Sequence, residues 1–232
     1  MPKPLAKKSD ALAAGKNLPQ LLGLLRQQYH SAKTALEFRT PLEMLVSTIL
    51  SAQCTDIRVN KVTPSLFKRY KTAKDYAGAD IKELETYIRS TGFYHNKAKN
   101  IQGASKMIAA KFGGKIPHTM KEMLELPGVA RKTANVVLHN AYGIIDGVVV
   151  DTHVGRLSRR LGFTKETNPE KVERDLMGIV PKKDWANISY WLIDHGRAVC
   201  KSQKPLCDKC PLNKICPSAF DFDAKGRWIG VK

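Results

Sequence analysis

Apolar residues recur at intervals of three and four along most of the chain, which is the spacing of amphipathic helices. Leu21, Leu22, Leu25 and Tyr29 share one helical face, and Pro41 suits the first turn of the helix that follows. The predicted helices cover residues 18–29, 41–53, 104–112, 169–180 and 184–199, with others opened by Pro64 and Asp80. The pattern predicts an all-α fold.

One apolar run departs from the helical spacing. Val148–Val150 is β-branched, as strands often are, but no second strand is predicted to pair with it. We therefore expect an extended, buried connection there. Asp151 follows it and is predicted to cap a helix that reaches Leu161.

The stretch from Leu124 to Asp151 reads LELPGVARKTANVVLHNAYGIIDGVVVD. Its turn, Pro127–Ala130, is flanked by two helix-forming runs. Thr119 and Glu122 fit a capping box for the first run, and Gly143 ends the second. These signals predict a helix-hairpin-helix, whose turn presents backbone N–H groups at a helix N-terminus and so suits a phosphate.

Composition and charge limit the partners. The chain has 232 residues, 43% of them hydrophobic, and its 39 Lys and Arg against 21 Asp and Glu give a net charge of +18. That excess indicates a polyanion such as DNA, RNA or an anionic membrane surface. No apolar run approaches the ~20 residues of a membrane span, and residues 1–17 lack the apolar core of a signal peptide. We expect an intracellular monomer, cytoplasmic or at the nucleoid if bacterial, with a mobile basic tail over 1–17.

Four of the five cysteines are crowded together. They follow the spacing C-x6-C-x2-C-x5-C within 17 residues: Cys200, Cys207, Cys210 and Cys216. Inside a cell such crowding favours a metal over disulfides. Tetrahedral zinc and an iron–sulfur cluster are both chemically possible, and the spacing does not separate them.

The hairpin sequence LPGVARKTANVVLHNAYG, followed by VDTH, resembles the endonuclease III family of DNA glycosylase/AP lyases. The resemblance covers roughly residues 18–217. It implies a two-lobed helix-hairpin-helix DNA glycosylase fold with a C-terminal [4Fe–4S] cluster loop. Residues 34–145 would form the lobe with the hairpin, and residues 18–33 plus 146–232 the cluster lobe.

Family membership also implies roles for individual residues. The four clustered cysteines would hold the [4Fe–4S] cluster in a structural role. Gln53, in SAQCTD, would enter the gap left by an extruded nucleotide, Phe93 would wedge into the base stack, and Asp56 would lie near the lesion pocket. The hairpin and the cluster loop would contact DNA through Gly128, Val129, Ala130, Arg131, Lys201 and Lys204.

The reaction implied by the resemblance centres on Lys132 and Asp151. Desolvation and the positive end of a helix favour a neutral amine, so Lys132 suits a nucleophile. Its amine would attack C1′ and displace an oxidised pyrimidine from duplex DNA, and Asp151 would stabilise positive charge on the sugar. A Schiff base and β-elimination would then nick the strand. The partner is duplex DNA with damaged bases or abasic sites, not a membrane.

Each residue also has a simpler interpretation. Lys132 alone could contact phosphate, Asp151 could only cap a helix, Phe93 could be a core aromatic, and residues 51–62 could be a solvated loop before a helix. At the level of function, the alternatives are a mono-functional glycosylase, a non-catalytic hairpin module and a zinc-binding nucleic-acid protein. A lysine at position 132 argues against the first.

Overall fold

The structure, a computed structural model, describes residues 17–230. These residues divide into two compact units. We call residues 34–146 the hairpin unit, and residues 17–33 together with 147–230 the cysteine unit. The tail predicted over 1–17 lies outside the described residues except for Asn17, which precedes the first helix.

Seven α-helices are described in the hairpin unit. They are α2 (Pro41–Leu50), α3 (Asp56–Arg69), α4 (Ala73–Ala77), α5 (Ile81–Ile88), α6 (Tyr94–Lys111), α7 (Met120–Met123) and α8 (Arg131–Tyr142), with a 3₁₀ turn at Arg89–Thr91. Their apolar faces meet in one core that runs from Leu36 to Leu138. Side chains of Thr40, Thr55, Thr72, Asp80 and Thr119 accept backbone N–H groups at helix starts. These caps explain why helices as short as α4 and α7 begin where they do.

Two helices of the hairpin unit differ from the sequence prediction. Pro64 does not open a helix but lies inside α3, which starts at Asp56 behind its Thr55 cap. The buried stripe Val59, Val62 and Leu66 continues across Pro64, so packing outweighs the backbone bond that proline removes. The predicted helix over 104–112 is the second half of α6.

The described residues of the cysteine unit contain four α-helices. They are α1 (Leu18–Gln28), α9 (Thr152–Arg160), α10 (Pro169–Ile179) and α11 (Trp185–Ala198), with 3₁₀ turns at Lys182–Asp184 and Cys207–Lys209. Leucines of α1 join a core with residues of α9, α10 and α11. The Arg26 guanidinium donates to both oxygens of Asp184, at 2.9 and 2.8 Å, and ties α1 to the start of α11.

The predicted all-α fold class is confirmed. Within residues 17–230 the regular structure is helical, apart from one isolated bridge between Phe222 and Trp228. Val148–Val150 belongs to no helix or strand, and Val148 and Val150 are buried, as expected for a buried connection. No helix among these residues is long and apolar enough to cross a membrane.

Candidate active site

The hairpin turn depends on a glycine for two reasons. Gly128 has φ +74°, a left-handed conformation, and a Cβ there would lie 2.6 Å from side-chain atoms of Asn100. The Val129 N–H donates to the Leu126 carbonyl at 3.1 Å, and both side chains are buried. Val129, predicted as a DNA contact, therefore shapes the turn from inside, whereas Gly128 and Ala130 are exposed.

Helix α8 starts without a side-chain cap. Ala130 at its N-cap is extended and offers no oxygen to the first turn. The leading N–H groups of a helix have no partner within the helix, so this exposed start suits an anion. Arg131 approaches Asp146 at 3.9 Å, and Lys132, the second residue of α8, is exposed. The structure thus has an exposed lysine in the first turn of an uncapped helix, directly after the hairpin turn.

Asp151 caps helix α9 as predicted. Its Oδ1 accepts the Val154 N–H at 2.8 Å, and the side chain is half-buried. A carboxylate has several acceptor positions, so capping leaves capacity for a second interaction. Burial lowers the pKa of nearby His153, against the opposing influence of Asp151. Arg156, one turn on, donates to the Cys200 carbonyl at 3.1 Å and ties the start of α9 to the cysteine loop.

Gln53 and Phe93 have strained backbones and exposed side chains. Their φ angles are 52° and 49°, and Phe93 is 64% exposed. A left-handed conformation costs an L-residue about 1–2 kcal/mol. Of the four non-glycine residues with positive φ between 17 and 230, Gln53, Phe93 and Lys204 were predicted DNA contacts, and Phe220 was not. Strain concentrated at these positions is typical of functional loops.

Asp56 is the first residue of α3 and lies three positions after Gln53. Its side chain is half-buried, and the adjacent Thr55 hydroxyl accepts the Arg58 N–H at 3.3 Å. An acidic residue in a first helical turn is stabilised by the helix dipole. Asp56 can therefore stabilise the start of α3, in addition to its predicted role near the lesion pocket.

The four clustered cysteines line one cavity. None of them forms a disulfide, and each is half-buried. The cavity has about 420 Å³ of atom-free space, part of it open to solvent, and the rest of its wall is mostly apolar, with Leu157, Leu161, Val199, Leu206 and Leu212. Burial raises the pKa of Cys210, and that of Cys216 to about 11. As the side chains stand, no three His, Cys, Asp or Glu residues within 17–230 form a site for a metal ion.

Nitrogen atoms of two side chains approach the sulfur atoms. The Arg160 guanidinium donates to Cys200 Sγ at 3.3 Å and to the carbonyls of Lys201 and Ser202 at 2.7 and 2.8 Å. His195 Nε2 lies 3.6 Å from Cys210 Sγ. Four free thiols around one cavity, with a buried guanidinium that donates to one sulfur, fit an anionic thiolate-bound cluster.

The C-terminal segment closes one side of this cavity. Ser218, Ala219 and Phe222 contribute to its wall, and Arg160 stacks over the Phe222 ring at 5.0 Å. The Lys204 N–H donates to the Gly226 carbonyl at 3.0 Å and joins the cysteine loop to the tail. The sequence predicts no role for residues 217–232, of which the structure describes 217–230. Both Lys201 and Lys204 are exposed, as phosphate contacts must be.

Comparison with known proteins decides the family. A model of the HhH-GPD superfamily of base excision DNA repair proteins matches residues 46–182. An endonuclease III from Synechocystis sp. is 58% identical over 200 residues, 86% of this chain and 91% of that protein. One from Bacillus subtilis is 44% identical over 214 residues, 90% of this chain and 97% of the other.

A solved structure of a trapped endonuclease III–DNA covalent intermediate, an estranged-adenine complex, is also similar. It has a TM-score of 0.83 at 43% identity and covers 88% of this chain and 95% of that one. The chain belongs to the endonuclease III family. The predicted enzyme class, a base-excision-repair DNA glycosylase with AP lyase activity, is thereby confirmed, and a non-catalytic hairpin module is no longer an alternative.

Two buried basic residues of this chain, both with hydrogen bonds to distant segments, were not predicted from the sequence. Arg160 is 3% exposed and Lys97 is 4% exposed. Each occupies a position in the apolar stripe of its helix: Lys97 precedes Ile101, Ala104 and Ile108 at helical spacing. A charged residue at such a position is the signal that could have identified both.

Proposed function

We propose that Lys132 is the nucleophile and Asp151 the charged assistant in the removal of oxidised pyrimidines from duplex DNA. The observation that carries the proposal is the position of Lys132, exposed in the first turn of the uncapped helix α8. There the amine lies next to the N–H groups that would hold a DNA phosphate. A bound backbone therefore brings its own deoxyribose to the amine.

The proposed reaction begins with displacement of the base by the lysine. The Lys132 nitrogen forms a bond to C1′ as the glycosidic bond breaks, and the base leaves with that electron pair and takes up a proton. Ring opening gives a Schiff base between nitrogen and C1′. Loss of a proton from C2′ then expels the 3′ phosphate oxygen, which nicks the strand. The Asp151 carboxylate stabilises positive charge on the sugar and assists the deprotonation.

Activation of Lys132 would require bound DNA. The amine is exposed in the protein alone, so the desolvation predicted from the sequence is not provided by the protein's own packing. Covering the amine with a deoxyribose removes water from it and favours the neutral form. The proposed nucleophile would thus lose its surrounding water only on the substrate.

The exposed left-handed residues would prepare the substrate. Phe93 has the apolar ring and exposure that a wedge between bases needs, and the Gln53 amide can hydrogen-bond the bases around the gap. Gly128, Ala130 and Arg131 would grip the phosphates from the hairpin, and Lys201 and Lys204 from the cysteine loop. Working on genomic DNA, the enzyme would act at the nucleoid of a bacterial cell.

We further propose that Cys200, Cys207, Cys210 and Cys216 hold a [4Fe–4S] cluster, as the family resemblance implies. The free thiols, the shared cavity and the Arg160 cation support it. When bound, the cluster would crosslink the loop and supply no chemistry to base removal. Metal analysis separates it from the zinc alternative, because four irons with labile sulfide are expected in place of one zinc.

Two substitutions test the catalytic assignment. Lys132→Gln should abolish borohydride trapping on abasic-site DNA and strand nicking, while duplex affinity stays within a few-fold because the hairpin backbone still grips phosphate. Lys121→Gln, the same change in α7, is the matched control and should trap normally. Asp151→Asn keeps the cap and should slow base removal by orders of magnitude with little loss of stability. Trapping that persists in Lys132→Gln would overturn the assignment.

A further inference from the structure

A single buried ammonium joins the two loops that carry Gln53 and Phe93. Lys97 Nζ donates to the Leu50 carbonyl at 2.8 Å and to the Thr91 carbonyl at 2.8 Å. The Lys97 residue is only 4% exposed, and both partners are carbonyl oxygens rather than carboxylates. An ammonium is seldom buried without a carboxylate, so the two carbonyls need a specific reason to be joined in this way.

Both carbonyls mark the ends of helical segments. Leu50 is the last residue of α2, and Gln53 follows three positions later in a left-handed conformation. Thr91 is the last residue of the 3₁₀ turn, and Phe93 follows two positions later, also left-handed. Carbonyls at helix C-termini lack partners within the helix and carry partial negative charge. One cation therefore stabilises both chain ends immediately before they turn into the strained residues.

The position of Lys97 argues against a packing role. It begins the buried stripe of α6 that continues through Ile101, Ala104 and Ile108, where an apolar residue would otherwise be expected. Its side chain instead spans to two separate segments, 47 and 6 positions away along the chain. Burial lowers the pKa of Lys97, and nearby Cys54 opposes that shift, so burying this ammonium has a cost in solvation.

We propose that Lys97 is a positioning residue that fixes the spacing between Gln53 and Phe93, so that both side chains can enter the DNA together. This inference rests on the proposed roles of those two residues in nucleotide extrusion. Two side chains can enter the DNA at one site only if both loops are held in the right positions beforehand. Small displacements of positioned groups lower the rate strongly. A shared hydrogen-bond donor achieves this more directly than two independent caps.

The test compares Lys97→Met with Lys106→Met, the same change at an exposed position of the same helix. Extrusion is read from the fluorescence of 2-aminopurine placed beside a single oxidised pyrimidine in a duplex. Lys97→Met should slow extrusion and base removal by about tenfold or more, since small misplacements can cost that much. Affinity for undamaged duplex should change by less than about twofold, because the hairpin that grips phosphate is untouched. Lys106→Met should match the unchanged protein in both measurements.

A background lacking the inserted side chains separates positioning from general stability. In Gln53→Ala/Phe93→Ala, adding Lys97→Met should change extrusion by less than about twofold, because there is nothing left to position. Lys97→Arg, which keeps the charge and the donors, should recover part of the loss. Lys97→Gln removes the charge but can still reach one carbonyl, and it carries the test if the methionine variant does not fold.

The outcomes distinguish the proposed roles of Gln53 and Phe93 from the positioning role of Lys97. If Gln53→Ala and Phe93→Ala leave extrusion intact, the proposed roles of those residues fail first. If those variants lose extrusion but folded Lys97→Met or Lys97→Gln does not, the inference about Lys97 is overturned alone. Equal losses in the presence and absence of the inserted side chains would reduce Lys97 to a stabilising residue and would also overturn it.

Discussion

The hairpin unit and the loop that carries the cysteines are stabilised by different means. The hairpin unit has a continuous apolar core to which helices from α2 to α8 contribute. Among the described residues after Cys200, one hydrophobic side chain, Leu212, is fully buried. The cysteine loop is held instead by the Arg160 guanidinium, by the Asn213 bond to the Cys207 carbonyl at 3.1 Å and by the C-terminal segment.

The difference shows which of the two regions needs a crosslink for its stability. A segment without its own apolar core needs a crosslink, and a metal centre is one that can be built from four thiols. The hairpin unit needs none and can hold strained residues such as Gln53 and Phe93 on its surface. The proposed cluster would therefore stabilise the cysteine loop, whereas the proposed nucleophile, Lys132, lies in the hairpin unit.

Preventing assembly of the proposed cluster should have the largest effect. Structural zinc sites, the measured analogue, contribute on the order of 10 kcal/mol to folding, so residues 200–229 should lose hydrogen-exchange protection when Cys207→Ser prevents metal binding. Amides of α8 should keep theirs. Cys54→Ser, a cysteine substitution in the hairpin unit, is the matched control and should leave iron content and exchange unchanged. Uniform loss of protection in both units would contradict the claim that the metal centre stabilises only the cysteine loop.

Arg160→Met should have the next largest effect. It leaves the Lys201 and Ser202 carbonyls without their donor, and because both residues are exposed, each lost hydrogen bond should cost about 0.5–1.5 kcal/mol. At about 2–4 °C for each kcal/mol in a chain of this size, the melting temperature should fall by roughly 2–12 °C. The purified variant should also lose iron faster to a chelator. Arg159→Met, one residue earlier, is the control, and an equal effect there would remove the special role of Arg160.

Gly128→Ala should have a smaller effect on stability and should also weaken DNA binding. Alanine in a left-handed conformation costs about 1–2 kcal/mol at any such site. At Gly114, φ +79°, a Cβ meets nothing within 4 Å, whereas at Gly128 it would displace Asn100 and the turn. Losing one charge-assisted hydrogen bond to phosphate should weaken duplex binding about tenfold or more, damaged and undamaged alike. Gly114→Ala should lose similar stability and retain binding, and equal binding losses would argue against a phosphate grip at the turn.

Much of the fold could be predicted from local signals. The all-α class, the caps at Asp80, Thr119 and Asp151 and the end of α8 at Gly143 follow from helical spacing and from side chains that satisfy terminal backbone groups. Pro64 shows the limit of such signals. Its usual meaning as a helix start was wrong because packing of the apolar stripe on either side carries α3 through it.

The site was predictable where short motifs carry it and not where tertiary contacts do. The hairpin glycine, Lys132 and the four cysteines can be identified by spacing, but Lys97 and Arg160 acquire their partners only in the folded chain. Lys97 reaches Leu50, 47 positions away, and Arg160 reaches Lys201, 41 positions away. No local pattern specifies such pairs. The left-handed backbone of Gln53 and Phe93 has no local sequence signal either, since neither residue is a glycine.

The central claim is that the reaction's covalent bond forms on the hairpin unit, at Lys132. The most direct measurement is to trap the enzyme on abasic-site duplex with borohydride, digest the complex and locate the modified residue by mass spectrometry. The account predicts one modified peptide, from the start of α8, with the sugar remnant on the Lys132 nitrogen. A remnant on any other amine, including the chain's N-terminus or a lysine of the cysteine loop, would contradict it.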